Sequence, residues 1–194
     1  VRGATGRGGA YGSAAPTPHS PLSALCARLP DGRLHLQHGP IDCIVEAWGE
    51  AGEVEAAYLQ VSDAFQDVLP TLVTELPVLR APLGAAHPLV RGAVARRMVA
   101  AARRHRGVFL TPMIAVAGAV ADELLAALLR GRQLHKACVN DGGDIALHLE
   151  QDAGFAVGIA LDPGLAAVQG LRHGRGVQRR HLSLIHISEP TRPY

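Results

Sequence analysis

From Arg33 to Gln37 apolar and polar residues alternate, with Leu34 and Leu36 on one side and His35 and Gln37 on the other. His38-Gly39-Pro40 follows as a turn, and Ile41–Trp48 is β-branched and apolar, so the two runs predict an antiparallel hairpin. The period then changes. Val54, Ala57, Val61, Phe65, Val68 and Leu72 recur at spacings of three and four, which puts one stripe along a helix from Glu53 to about Leu72. Pro70 has no N–H and its ring crowds the turn before it, so the helix should kink or end there. Pro77, Pro82 and Pro88 punctuate a loop, and Pro88 suits the first turn of a second helix reaching about His105. That helix carries Leu89, Ala93, Met98 and Ala101 among Arg91, Arg96, Arg97, Arg103 and Arg104.

A third helix is expected from Thr111-Pro112, with Thr as N-cap and Pro at the first helical position, to Gly131 as the residue after its C-cap. Its first half is small or apolar on every side, which predicts burial. Ala117, Gly118 and Ala121 would admit a second backbone or a flat ligand at close range. Ala137–Asn140 then reads as a strand and Asp141-Gly142-Gly143 as a turn. Ile145, Leu147 and Leu149 alternate with Ala146, His148 and Glu150 as a half-buried strand, and Phe155–Leu161 follows the Gln151–Gly154 turn as another. Strands joined by hairpins, with the helices grouped between them, predict an α+β fold with an antiparallel sheet rather than regular β-α-β crossovers.

Composition narrows the function. Of the 194 residues 48% are hydrophobic, enough for a packed core. Only 19% are charged and the formal charge is +2, which argues against a dedicated nucleic-acid binder. No run of eighteen apolar residues predicts a membrane span. Cys26, Cys43 and Cys138 are too few and too scattered for a disulfide framework or a zinc site, and Cys43 and Cys138 read as small buried hydrophobes in strands.

The two ends differ from the middle. Residues 1–21 are Gly, Ala, Ser and Pro with little to bury, and are expected to form a disordered leader. Leu182–Arg192, LSLIHISEPTR, resembles the translation of a transposase adapter used in building sequencing libraries. Residues 182–194 are therefore expected to be non-native, and residues 22–181 to be one domain cut short at its C-terminal end. Without the two ends the basic and acidic residues number 16 each, so the net charge carries no information about partners.

Two segments are candidates for chemistry. In VNDGGDIAL, residues 139–147, Gly142 and Gly143 let the backbone take positive φ and approach a ligand, and exposed N–H groups in such a turn hold anions. Asn140, Asp141 and Asp144 add polar handles, Asp144 for a hydroxyl or a divalent cation. An ordinary hairpin turn explains the same residues. The second candidate is Thr111-Pro112-Met113, where a helix N-terminus offers N–H groups and a positive dipole end to a phosphate; the alternative is a capped core helix. Asp122-Glu123 suits acid/base or metal work, or simply solvates a helix face. The arginines between Arg91 and Arg106 read as a solvated face, and His35 and His38 as surface residues. Composition alone does not say whether the helix start and the Gly-Gly turn meet.

LPDGRLHLQHGPIDCIVEA, TPMIAVAGAVADELLAAL and VNDGGDIAL together resemble an ApbE-like uncharacterised bacterial and archaeal protein family (UPF 0280), over about Leu29 to Ile159. The resemblance implies an α+β, T-fold-related domain, incomplete here at its C-terminus, in a cytoplasmic bacterial protein. It implies a small-molecule flavin or nucleotide ligand, FAD or FMN, with Mg²⁺ only in the intact protein, and an intact form similar to an FAD-dependent FMN transferase. With the charge balance and hydropathy above, neither nucleic acid nor membrane is expected as partner, and homo-oligomerisation is left open. The resemblance places Ala117 and Gly118 at a helix motif and Gly142, Gly143 and Asp144 at a turn motif, and with the helix start Thr111, Pro112, Met113 and with Asn140 these residues are expected to form the cofactor site. The transferase pattern has Lys where this chain has Ala117 and Tyr where it has Ala119, so a binding or assembly module without transfer chemistry is the alternative.

Overall fold

In the computed structural model, which describes residues 23–84, 88–105, 107, 109–151, 153–155 and 183–184, the expected hairpin is present as Leu34–His38 (β2) and Ile41–Gly49 (β3). Leu36 pairs with Cys43 and Leu34 with Val45. Leu34, Leu36, Cys43 and Val45 are buried on one face, as the alternation requires. His38 shares that face and is also buried, its ring edge-on to Phe65 at 6.1 Å between centroids, which corrects its assignment to the surface. The alternation holds for one residue more than the sequence reading gave it. An additional strand, Leu25–Arg28 (β1), pairs antiparallel with β2.

Beyond β3, Ala51–Gln66 (α1) starts at Glu50, whose carboxylate accepts from the N–H groups of Gly52 and Glu53 at 2.9 and 3.2 Å. Ala57, Val61 and Phe65 face the core as expected. The stripe does not form a single helix. It breaks at Asp67, and Val68–Leu79 (α2) begins afresh. The cause is Pro70, whose ring would clash with the carbonyl of Gln66 in a continuous helix. Restarting at Val68 puts Pro70 in a first turn, where an N–H has no helical partner in any case. Pro77 lies inside α2 rather than in a loop. It forgoes only its own bond to Val73, on the exposed side of the helix.

Pro88 does not open the next helix. Ala93–Ala102 (α3) follows Gly92, and Glu75 of α2 accepts from the backbone N–H groups of Arg91 and Gly92. A carboxylate supplied from another element, not a local N-cap, fixes this start. The buried stripe becomes Val94, Ala95, Met98, Val99 and Ala102, and Leu89 is left 93% exposed. A 3₁₀ turn, Arg103–His105, ends the helix where expected.

The last helix, Val116–Leu129 (α4), is preceded by a 3₁₀ turn, Pro112–Ala115. It ends at Arg130, with Gly131 at φ +69° as the left-handed residue beyond. Gln60 of α1 donates to the carbonyls of Ala127 and Arg130, satisfying acceptors that the helix end leaves open. Pro112–Leu129 is 18 residues with a mean hydropathy of 1.8, long and apolar enough by length and composition to cross a membrane. It is 44% buried, with Leu124, Leu125 and Leu128 in the core.

Leu134–Asp141 (β4) pairs with β3, and Asp144–Leu149 (β5) with β4, all antiparallel. A two-residue stretch of the tail, Ser183–Leu184 (β6), pairs with Ala146 and Ile145 at the edge of β5, so part of the segment expected to be foreign to the fold joins the sheet. The strand expected over Phe155–Leu161 begins with a residue outside any strand, and positions 156–161 lie outside the described residues. The architecture is α+β. α1 lies over β2 and β3, α4 over β4 and β5, and α2 and α3 complete the helical layer.

The β5 alternation runs in the opposite sense to hydrophobicity. Ala146, opposite Val139, is buried beneath the helices, whereas Ile145, Leu147 and Leu149 occupy the other face and are half-buried. A small side chain lets α4 settle close to the sheet, and close packing outweighs the burial of larger residues there. On that other face Lys136, the sole lysine, sits 4.1 Å from the centroid of Trp48, whose ring meets Phe155 edge-on.

Candidate functional site

β4 and β5 are joined by the two-residue turn Gly142-Gly143, with φ of +59° and +109° and with Asp141 paired to Asp144. Positive φ at both central positions matches the right-handed twist of the hairpin and explains both glycines by turn chemistry alone. Asn140 Oδ1 accepts from the Gly143 N–H at 2.9 Å. That N–H is therefore spent inside the turn, which corrects the expectation that it faces an anion.

The turn and the last helix meet. β5 points Asp144, Ala146 and His148 towards α4, because Asp144 shares a face with Asp141 and Ala146 with Val139. Among the described residues outside its own helical turn, an ideal Cβ built on Gly118 would come 3.8 Å from Asp144 Oδ2 and meet no other heavy atom within 4 Å. Ala117, Gly118 and Asp144 are half-buried, and Gly142 and Gly143 are exposed; this junction of α4 with the β4–β5 turn is called the notch below. Asp122, half-buried, lies one helical turn beyond Gly118 on the same face.

The helix start is built differently from a plain capped helix N-terminus. Pro112 is buried and Met113 packs on the core, while Ile114 is 70% exposed. Thr111 makes no side-chain cap, Pro112 has no N–H, and the Ile114 N–H donates to Thr111 O at 3.2 Å. Few donors are left there for a phosphate. The prediction of burial all round also fails for this half. Ala119, Val120 and Ala121 are buried, but the Ala117–Gly118 side is half-open.

Asp141, expected as a polar handle of the turn, lies inside the fold, and Cys43 is buried in its strand as expected. Asp141 is buried, continuing the inward phase of Ala137 and Val139, and that parity is the signal that could have placed it. The thiol of Cys43, its register partner, and the backbone N–H of Asp42 both donate to its carboxylate. Burial nevertheless raises the Asp141 pKa from 3.8 to about 6, and Asp144 and Asp42 add to the rise by repulsion. Burial also pushes the Cys43 thiol up, far from a reactive thiolate. Cys138 is only half-buried, on the opposite face, with its thiol raised to about 11 by burial.

Glu123 does not join the notch. Its carboxylate pairs with Arg97 Nε at 2.9 Å and ties α4 to α3. A cavity of about 150 Å³ between Leu72, Val94, Leu124 and Ala127 has Glu123 in its wall but none of the residues expected to hold a cofactor. Among the described residues no group of three or more His, Cys, Asp or Glu is arranged to hold a metal ion.

These features define an α+β domain whose glycine notch joins a core helix to a β-hairpin. Residues 26–178 match the family described as AbpE bacteria, and the chain belongs to that family. Its description differs from that of the ApbE-like family that the motifs resemble. No curated protein matches the sequence.

Proposed function

We propose that this chain is a flavin- or nucleotide-binding domain of ApbE-like, T-fold-related architecture, with its site in the notch between Ala117–Gly118 and Asn140–Asp144. Gly118 carries the proposal. Inside a helix glycine costs about 1 kcal/mol relative to alanine, yet an alanine methyl would meet only ordinary contact 3.8 Å from Asp144. Packing among the described residues therefore does not require glycine, whereas a flat ring laid against the helix backbone would. Asp144 is placed to accept from a ligand hydroxyl or ring N–H.

The acidic surroundings limit how a phosphate can be held. Asp42, Asp141 and Asp144 lie at the same end of the sheet and disfavour a bare anion. Mg²⁺ is commonly held by one or two carboxylates together with substrate phosphates. The described residues do not make a Mg²⁺ site unaided, so the ion fits only as a companion of the ligand, and no transfer step is assigned. Ala117 brings no charge, and Ala119 faces the core at 5% exposure. These two residues favour a binding or assembly module that keeps the fold without transferase chemistry over an FAD-dependent FMN transferase.

Two experiments separate the readings. Titrating the chain into FAD, FMN and riboflavin should quench flavin fluorescence saturably, and absence of quenching removes the flavin site. Incubation with FAD, Mg²⁺ and threonine-containing acceptor proteins should leave the acceptor mass unchanged; a covalent FMN adduct would restore the transferase reading.

A further inference from the structure

We infer that the outer face of α3 carries a second site, remote from the notch, for an amphipathic anion: one carboxylate, phosphate or sulfonate head on a hydrocarbon or aromatic body. A cavity of about 420 Å³ lies there, walled by Pro88, Leu89, Val90, Val99, Ala100 and by Arg96 and Arg103. This is within the roughly 300–1,000 Å³ of small-molecule sites. Among the described residues its lining is apolar apart from two guanidinium groups, with no acidic residue.

The two arginines are seven positions apart, hence on one side of the helix and about 10 Å apart along its axis. Long side chains at that separation can converge on one head group. Among the described residues neither has a carboxylate partner, in contrast to Arg97, which is taken by Glu123. The Arg96 guanidinium lies beside the carbonyl of Arg91 and offers its N–H donors to a ligand. Val99 forms an apolar floor at 2% exposure, and Leu89 stands at the rim at 93%, a large hydrophobe to close over an apolar body.

The test is calorimetric titration of the full chain with dodecyl phosphate below its micellar concentration. Saturable binding is expected, weakened about tenfold or more in R96Q/R103Q and by added salt. Ala100 is exposed, so A100W should fill the cavity and weaken binding similarly with no loss of melting temperature. Uncharged dodecanol should bind about tenfold or more weakly. A second arm uses phosphatidylglycerol and phosphatidylcholine vesicles. Arginine-dependent binding to the former alone identifies a lipid head group, and binding of the monomer alone identifies a soluble ligand. Either result supports the site. No saturable binding in both arms, undiminished binding by R96Q/R103Q, or equal affinity for dodecanol overturns it.

Discussion

Gly118 of α4 faces Asp144 of β5 across a gap in which a methyl group would stand 3.8 Å from the carboxylate. Two segments 26 positions apart in sequence are thereby brought to one place, and a helix-weakening residue occupies that place with no steric demand from the described residues. Gly118→Ala should stabilise the fold by about 0.5–1 kcal/mol, read as a rise in thermal midpoint, while lowering flavin affinity. Destabilisation by this change would mean that the gap is not available to a ligand.

Asp141 should give the stability a distinctive dependence on pH. Its folded pKa of about 6 lies above the ordinary 3.8, so between these values the folded chain binds more protons than the unfolded one. The stability that this proton confers is fully present below about pH 4 and is lost as pH rises through 6. Asp141→Asn keeps an acceptor for Cys43 and Asp42 and removes the charge. The variant should exceed the native chain by about 2–3 kcal/mol above pH 7, with the difference vanishing near pH 4 in denaturant titrations. A difference independent of pH would contradict this account of Asp141.

Glu75 holds the start of α3 through two backbone N–H groups. Glu75→Ala should cost about 1 kcal/mol and speed amide exchange at Arg91 and Gly92. Gly92→Ala should be more damaging for a steric reason. Its Cβ would fall 2.7 Å from Glu75 Oε2 and 2.9 Å from Thr71 Cγ2, so the capping carboxylate would be displaced. Unchanged exchange at Gly92 in either variant would show that the cap contributes nothing.

Tyr58 is buried, and its hydroxyl accepts from the Ala47 N–H at 3.1 Å beside the irregularity at Trp48 and Gly49. Tyr58→Phe strands that donor and should cost about 1–2 kcal/mol in denaturant midpoint. The fluorescence of Trp48, the sole tryptophan, reports the same transition. A neutral effect would mean that water reaches Ala47.

The β2–β3 hairpin, the core stripe of α1 and the Gly131 stop were legible because each depends on neighbours in sequence. The break at Asp67 was nearly so, displaced from Pro70 by the three residues over which a proline ring reaches back. The start of α3 was not, since its cap comes from Glu75, seventeen positions away. Nor was the inward phase of β5. Ala146 is inside because α4 lies on it, and hydrophobicity along the strand points the other way. At the site, the Gly-Gly turn and Gly118 were visible as residues, but their meeting depends on α4 packing across β5. Asp141 was hidden by its place in a turn motif, although its parity with Val139 marks it as inward.

The most direct measurement titrates FAD with the native chain and with Gly118→Leu in parallel, together with thermal melts of both. The notch predicts saturable quenching by the native chain. It also predicts a loss of affinity of about tenfold or more in the variant, with the melting transition retained. Saturable binding of equal strength by a folded Gly118→Leu chain would place the flavin elsewhere. No saturable quenching by the native chain would contradict the flavin site itself.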